Sequence, residues 1–221
     1  MIEFSHVTKE YDGGFTAVND LSFAIEKGEF VFLCGASGAG KTTVLKLLYM
    51  DEPPTSGRVF TCGYDSHKIT HRDIPYLRRK LGIVFQDFRL LPDRSTFENV
   101  AFTLRATGKK ERAIKRKVFE VLAETGLSHK ASFYPSQLSG GEQQRVCIAR
   151  AMVSDPWVLL ADEPTGNLDW EVSGDIFSLL QSINNRGTTV VMATHDTHLI
   201  EPYHYRRILL LRGSLVKTTF L

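Results

Sequence analysis

The first 25 residues alternate between apolar and polar positions, and two groups of turn-forming residues interrupt the alternation. The interruptions are Asp-Gly-Gly at 12–14 and Asn-Asp at 19–20. Short alternating segments bounded by Gly, Asn and Asp are typical of paired antiparallel strands. The pattern therefore predicts an antiparallel β region over residues 2–25, with a break at each interruption.

Four later apolar runs are unbroken and have the length of a strand. They cover residues 30–34, 82–85, 157–161 and 188–193. Continuous apolar runs of this length indicate strands buried on both faces, as in a parallel sheet. A glycine-rich turn and a helix-forming segment at 43–48 follow the first run, and polar residues follow the others. Because the carboxyl ends of parallel strands meet at one edge of a sheet, we expect a ligand site at that edge.

Residues 87 to about 155 contain no strand-like run and are predicted to be helical. Four apolar residues recur there at helical spacing: Ile114, Val118, Val121 and Leu122. Basic residues occupy mostly the other side of this helix, and we interpret them as a solvated face rather than as a phosphate or lipid site. They are Lys109, Lys110, Arg112, Lys115, Arg116 and Lys117.

The length and composition fit one α/β domain with an inserted helical lobe. The chain has 221 residues, of which 43% are hydrophobic and 24% are charged. These values are ordinary for a globular protein. We expect a single domain over residues 1–221, with a core lobe at about 1–86 and 156–221 and a helical lobe at about 87–155.

Charge and cysteine content exclude several classes of protein. The 27 Lys and Arg nearly balance the 25 Asp and Glu, which leaves a net charge of +2 and no strong basic field for nucleic acid. Cys34, Cys62 and Cys147 have no CxxC spacing and are predicted to be small buried residues of a protein in a reducing compartment. No signal peptide and no spanning apolar run is evident. We therefore expect a cytoplasmic chain with no nucleic-acid partner and no direct membrane insertion.

The turn after the first unbroken run fits the P-loop pattern GxxxxGK followed by Ser or Thr. Its residues are Gly35, Ala36, Ser37, Gly38, Ala39, Gly40, Lys41 and Thr42. In such a loop the backbone N–H groups and the amino-terminal end of the next helix hold phosphates. Lys41 is expected to reach the β and γ phosphates, and the Thr42 hydroxyl is expected to bind Mg²⁺.

Polar residues at three other strand ends complete a predicted phosphoryl-transfer site. Asp162 and Glu163 end the third run, where one carboxylate can hold Mg²⁺ and the other can polarise an attacking water. His195 follows the fourth run and is placed to contact the γ phosphate or that water. Gln86 follows the second run, and its amide oxygen can face Mg²⁺ or water. Four strand ends are thus predicted to converge on one nucleotide.

A second anion-binding helix start is predicted where Ser139, Gly140 and Gly141 open a helix within the sequence LSGGEQQR at 138–145. One nucleotide does not readily use both this site and the P-loop of the same molecule. The economical arrangement is a head-to-tail dimer, in which the second site of each chain closes over the ATP of its partner.

The order of these motifs resembles the nucleotide-binding subunits of ABC transporters over nearly the whole chain. LSGGEQQR together with a P-loop is highly specific for that family, and the strand that ends in DEPTGNLD at 162–169 agrees with it. The resemblance implies an α/β P-loop NTPase fold with a RecA-like core, an N-terminal antiparallel β subdomain and an inserted α-helical subdomain. It also implies ATP and Mg²⁺ as cofactors and hydrolysis of ATP to ADP and phosphate.

The resemblance further implies roles for single residues. Tyr11 stacks on adenine, and Thr43 joins the residues that bind the cofactor. Glu163 is the general base, with His195 and Gln86 as further catalytic residues. The implied metal ligands are Thr42, Gln86 and Asp162. The residues implied to face the ATP of the partner subunit are Ser139, Gly140, Gly141, Glu142 and Asp169.

Four stretches that are less specific than the ATPase motifs resemble the branch of the family that acts in bacterial cell division. They cover residues 76–82, 85–87, 90–100 and 160–169. That branch works with an integral membrane subunit, so the resemblance implies a chain that is peripheral on the inner face of the plasma membrane. ATPases of lipoprotein-release and export systems are close relatives and remain an alternative. A soluble ABC ATPase acting on ribosomes or DNA is disfavoured by the chain length and the charge balance. The apolar residues Phe88, Leu90 and Leu91 are candidates for the docking site of the membrane subunit, with packing in the core as the alternative for some of them.

Overall fold

A computed structural model describes residues 1–219. The strands are Ile2–Tyr11 (β1), Phe15–Ile25 (β2), Phe30–Cys34 (β3), Ser56–Thr61 (β4), Tyr64–Asp65 (β5), Leu81–Val84 (β6), Val158–Asp162 (β7), Thr189–Thr194 (β8), Arg206–Leu211 (β9) and Ser214–Thr219 (β10). The α-helices are Lys41–Leu48 (α1), Ile74–Arg78 (α2), Thr96–Ala106 (α3), Glu111–Glu124 (α4), Gly140–Met152 (α5), Trp170–Asn185 (α6) and Thr197–Ile200 (α7).

An antiparallel sheet with strand order β2-β1-β4-β5 forms one layer of the molecule. The predicted β region at residues 2–25 is confirmed as the antiparallel pair β1 and β2. The predicted break at 19–20 is wrong, because β2 continues through it. The strand instead has a register shift there, with Asp20 in the left-handed region at φ 49°. A bulge of this kind absorbs the irregularity without ending the strand.

A six-stranded sheet with order β10-β9-β3-β8-β7-β6 forms the centre of the molecule. Strand β3 pairs in parallel with β8 and β9, and β7 pairs in parallel with β6 and β8. All four unbroken apolar runs are therefore confirmed as parallel strands. Their carboxyl ends lie along one edge, which is where the P-loop and the polar strand ends are found.

Two hydrophobic cores cover the two faces of this sheet. On one face, Phe32 and Met192 pack with Phe177 of α6 and Ile148 of α5. On the other face, Leu33 of the sheet packs with residues of α1 and of the antiparallel sheet. Alternate residues of β3 thus enter different cores, which explains why its sequence is apolar at every position.

The segment between β6 and β7 is helical, as predicted. Residues 85–157 are all described and contain no strand. The predicted apolar stripe of α4 is at most 2% exposed, whereas the basic residues at 109, 110, 112, 115 and 116 are exposed to solvent. Lys117 pairs with Glu120 and Asp155 at 2.9 and 2.8 Å. The solvated basic face is therefore confirmed, while the division into two lobes at residues 86 and 156 stays a prediction.

The three cysteines are buried and free, as predicted. Burial raises the pKa of the Cys34 thiol to about 11 and that of Cys147 to about 12, so both are protonated at neutral pH. Within residues 1–219, no helix has the length and apolar character that a membrane span requires.

Candidate nucleotide-binding and catalytic site

The loop between β3 and α1 accepts only glycine at two positions, because a side chain there would collide with the backbone of a neighbouring strand. A Cβ atom on Gly35 would lie 2.6 Å from the Leu210 carbonyl oxygen, and one on Gly40 would lie 2.5 Å from the Ala17 carbonyl oxygen. Both glycines also have positive φ, 154° and 101°. Residues 36–38 between them are exposed. The loop is thus wedged against β9 and β2 at its two ends and presents its middle to solvent, as a phosphate-binding loop must.

Lys41 is folded beneath this loop. Its side chain is 6% exposed, and its Nζ donates to the carbonyl oxygens of Gly35 at 2.7 Å and Ala36 at 3.2 Å. The same nitrogen lies 3.2 Å from Oε1 of Glu163. The predicted phosphate-binding lysine and the predicted general base therefore form a buried ion pair.

Glu163 is held by its backbone and by its side chain. Its φ of 46° places it in the left-handed region, and its N–H donates to the Ala193 carbonyl oxygen at 2.9 Å. Its Oε2 lies 2.9 Å from Nδ1 of His195 and accepts a hydrogen bond from the His195 backbone N–H at 3.3 Å. The ends of β7 and β8 are thus tied together through this carboxylate, which is only 10% exposed.

The carboxyl group of Asp162 is buried in surroundings that suit a bound cation. Burial raises the pKa of its carboxyl group, and a hydrogen bond with the Thr42 side chain partly opposes that shift. Its Oδ1 is buried and has no hydrogen-bond partner within residues 1–219. A buried anionic oxygen without a donor is costly unless a cation satisfies it. Asp162 and Thr42 therefore fit Mg²⁺.

The same region offers few protein ligands beyond these. No group of three or more His, Cys, Asp or Glu in the described chain could hold a metal ion by itself. Such a sparse set suits Mg²⁺, which keeps several waters and takes its remaining ligands from one or two carboxylates and substrate phosphates.

Gln86 and Tyr11 flank this centre. The side chain of Gln86 is exposed, and its Nε2 lies 4.0 Å from the position that a Cβ would take on Gly166, in the turn after β7. The Tyr11 hydroxyl lies 3.5 Å from Oγ1 of Thr43, in the first turn of α1. The structure thus brings the predicted residues of β3, β6, β7 and β8 to one sheet edge, with Tyr11 beside it.

The second predicted anion site lies elsewhere in the chain. Ser139 caps α5 and forms a capping box with Glu142, with bonds of 2.8 and 3.3 Å. A Cβ on Gly141 would lie 2.5 Å from Cγ1 of Val172, so this glycine lets α5 approach α6 closely. Asp169 caps α6 by accepting from the Val172 N–H at 2.9 Å. Helix α5 packs mainly on α3, α4, α6 and β6, whereas α1 packs on β2, β4, β7 and β8.

The loop from Gln86 to α3 is held by a buried residue of α3 that the sequence analysis missed. Asn99 is completely buried, donates to the carbonyl oxygens of Leu91, Arg94 and Ser95, and accepts from the Leu91 N–H. The one available signal was a polar residue within the apolar stripe of α3. Asn99 therefore fixes the path of the chain leaving the site.

Two of the three apolar docking candidates at 88–91 contact the hydrophobic core. Phe88 and Leu90 are half-buried and pack on the hydrophobic core that covers α5 and α6. Phe102 of α3 is the more exposed aromatic residue of this region, with 55% of its surface accessible. Core packing therefore accounts for Phe88 and Leu90, the alternative that their apolar character allowed, while a docking role for residues 88–91 stays a prediction.

A P-loop between a parallel strand and a helix, with carboxylates at the tip of a neighbouring strand, is the arrangement of a nucleoside triphosphatase. The sequence profile of the ABC transporter family matches residues 18–166. The chain belongs to the ABC transporter family of ATPases.

Several relatives are similar over almost the full chain. The cell division ATP-binding protein FtsE of Mycobacterium tuberculosis is 53% identical over 98% of this chain and 95% of its own length. The FtsE proteins of Bacillus subtilis and Escherichia coli are 49% and 48% identical, over 98% and 97% of this chain and 95% and 97% of their own lengths. A dimeric structure of the ATP-binding cassette MJ0796 in a post-hydrolysis state, bound to ADP and Pi, has a TM-score of 0.90 and 34% identity, covering 100% of this chain and 99% of that one.

Proposed function

We propose that this chain is the ATP-hydrolysing subunit of a bacterial cell-division complex, in which ATP-driven closure of two copies acts on an integral membrane subunit of the FtsX type to control septal peptidoglycan hydrolysis. The observation that carries this proposal is the similarity to cell division ATP-binding proteins of three bacteria, at 48–53% identity over 97–98% of the chain. The chain works as a core lobe at about 1–86 and 156–221 and a helical lobe at about 87–155.

The nucleotide binds across the P-loop. Tyr11 stacks on the adenine, and the N–H groups of residues 35–43 hold the phosphates together with the positive end of α1. Thr42, Gln86 and Asp162 would hold Mg²⁺, which would supply positive charge to neutralise the phosphates and the buried Asp162 oxygen.

Arrival of the γ phosphate rearranges the buried ion pair. The ammonium of Lys41 leaves the Gly35 and Ala36 carbonyl oxygens and Glu163, and turns to the phosphate, which is the stronger anion. Glu163 then accepts a proton from the attacking water as that water bonds to the γ phosphorus and ADP leaves. His195 holds the Glu163 carboxylate through its Nδ1 contact of 2.9 Å. The nucleotide-free chain therefore keeps its base occupied until a nucleotide is bound.

A second copy completes each site. The residues that face the ATP of the partner subunit are Ser139, Gly140, Gly141, Glu142 and Asp169. Support comes from the exposed amino-terminal end of α5, which packs apart from α1 within the same chain. The dimeric state of the similar cassette MJ0796 supports the same arrangement.

The membrane subunit docks in a groove between α2 and β6 on one side and α3 and α5 on the other. The groove has a volume of about 490 Å³. Its walls combine the apolar rings of Phe85 and Phe102 with four arginines, which are Arg78, Arg79, Arg89 and Arg150. Charge complementarity calls for a short segment that carries aromatic or aliphatic residues beside Asp or Glu. The groove adjoins the loop that starts at Gln86, so a segment bound in the groove contacts the chain next to the catalytic edge of the sheet. Docking there keeps the chain peripheral on the inner face of the plasma membrane.

Purification from solubilised membranes of the native host tests this proposal. The tagged chain should retain an integral membrane protein of the FtsX type, identified by mass spectrometry, and Phe102→Glu should release it because a carboxylate then faces an acidic segment. Val216→Glu is the matched control, since Val216 is 56% exposed on β10, outside the groove. A retained partner that binds lipoproteins or exports a drug would overturn the cell-division assignment, and equal retention by Phe102→Glu would overturn the docking site.

A further inference from the structure

The backbone is strained immediately after Gln86. Phe88 and Arg89 are consecutive non-glycine residues in the left-handed region, at φ values of 56° and 49°. Each such residue carries a conformational cost that the surrounding structure has to offset. Gln86, a proposed catalytic residue and Mg²⁺ ligand, therefore precedes a backbone whose conformation depends on contacts with the surrounding structure.

Two side chains of α5 hold this backbone. The guanidinium of Arg150 donates to the carbonyl oxygen of Phe88 at 2.8 Å and to that of Arg89. The thiol of Cys147 donates to the same Phe88 oxygen at 3.1 Å. Phe88 thus presents a carbonyl oxygen that accepts two hydrogen bonds from one helix, and one of these comes from a charged donor, which makes it strong.

The same helix reaches the other end of the machinery. Helix α5 begins beside Ser139, the residue proposed to face the ATP of the partner subunit, and its last turn carries Arg150. A regular helix moves as a rigid unit, so displacement of its first turn is carried to its last turn. Arg150 also lines the groove together with Arg89, whose guanidinium lies 4.2 Å from the centre of the Phe85 ring.

We infer that Arg150 is a positioning residue for ATP hydrolysis, which acts with Cys147 to clamp the Phe88–Arg89 backbone to α5 so that Gln86 follows the movement of this helix. The inference rests on the proposed role of Gln86. Closure over the partner's ATP displaces one end of α5, and occupation of the groove displaces the other end. Through the clamp, either displacement moves the strand tip where Gln86 lies.

Substitutions at Arg150 test the clamp in the full-length purified chain. Arg150→Met keeps the aliphatic stem and removes both donors, so kcat for ATP hydrolysis should fall about tenfold or more, as expected for a misplaced group. The KM for ATP and the Kd of a fluorescent ATP analogue should change less than about twofold, because the P-loop is untouched. Arg150→Lys retains one charged donor and should recover part of kcat. Arg186→Met removes a guanidinium that pairs with Glu124 at 2.7 Å, away from the loop, and should retain wild-type kcat.

A double-mutant cycle separates this clamp from the role of Gln86. Gln86→Ala should lower kcat, and adding Arg150→Met should lower it no further, because both changes act through one group. Losses that multiply would overturn the clamp and leave the role of Gln86 intact. Unchanged turnover in Gln86→Ala would overturn that role and the clamp with it. Cys147→Ala removes only one neutral donor and provides the test if Arg150→Met fails to fold. It should reduce kcat in the same direction, and an unchanged kcat would contradict the clamp.

Discussion

The two proposed anion-binding regions of this chain differ in how far their polar groups are satisfied by hydrogen bonds and ion pairs. At the P-loop edge, Lys41 and Glu163 pair with each other beneath the loop, and an oxygen of Asp162 is buried with no hydrogen-bond partner among the described residues. At the start of α5, Ser139 and Glu142 satisfy each other in a capping box, and Lys130 lies 3.3 Å from the same glutamate.

This difference predicts that ligand binding rearranges contacts at the P-loop edge and leaves those at the start of α5 unchanged. We expect a nucleotide and a cation to redistribute the charges at the P-loop edge, and we expect the capped start of α5 to bind a ligand without internal rearrangement. Catalytic substitutions should therefore be severe at the first region with little loss of folding. Substitutions at the second should act through packing and through the contact with another chain.

Glu163→Gln should have the largest effect. The amide retains the shape and one acceptor but cannot take a proton from water, so kcat should fall by about 10³-fold, in the range for loss of a general base. ATP should still bind, and the variant should accumulate as an ATP-bound dimer in size-exclusion chromatography with light scattering. Turnover close to that of the wild type would contradict the role of Glu163.

Asp162→Asn should raise the stability of the nucleotide-free chain and lower its rate of ATP hydrolysis. The buried carboxyl has a raised pKa, so its stabilising contribution is present below the unfolded value and is lost as pH rises through the folded value. At pH 7 a neutral amide should therefore raise the melting temperature of the nucleotide-free chain. Mg²⁺-dependent turnover should fall about 10²-fold or more, as expected for loss of a charged group at the reacting centre. Acidification should weaken Mg²⁺-dependent turnover of the wild type as Asp162 takes up its proton. A lower melting temperature for the variant would show that the carboxylate is already satisfied in the free chain.

Gly141→Ala should have a smaller effect, which acts on packing. Its Cβ would meet Val172 at 2.5 Å, and overpacking of this kind costs roughly 1–3 kcal/mol. Gly174→Ala on α6 is the matched control, because its Cβ would meet nothing within 4 Å. That control should be stabilised by about 0.5–1 kcal/mol, the usual gain over glycine within a helix. Urea unfolding measures both, and equal stability of the two variants would contradict close approach of α5 and α6 at Gly141.

Much of the central sheet could be predicted because its strands are apolar at every position. The runs at 30–34, 82–85, 157–161 and 188–193 indicate burial on both faces; the P-loop follows the first run, and polar residues of the site follow the other three. Strands β4, β5, β9 and β10 had no such signal, since their exposed positions dilute the pattern. The polar pair at 19–20 predicted a break, because a bulge and a turn use the same residues.

The contacts within the site could not be read from local patterns. The Lys41–Glu163 pair joins residues far apart in the chain, and its existence depends on the register between strands β3, β8 and β7. Asn99 and Arg150 act on backbone carbonyl oxygens, which every residue has, so no partner residue marks them in the sequence. Phe88, Leu90 and Leu91 were docking candidates on apolar character alone, which does not distinguish a docking surface from the edge of a core.

The central claim is that one working site combines the P-loop edge of one chain with the start of α5 from another. Lys41→Ala and Ser139→Arg disable these two regions in separate chains, and each variant alone should hydrolyse almost no ATP. Mixed in equal amounts they should recover about a quarter of the wild-type rate, since half of random twofold dimers are mixed and each has one intact site. A mixture that stays as inactive as its components would contradict the account.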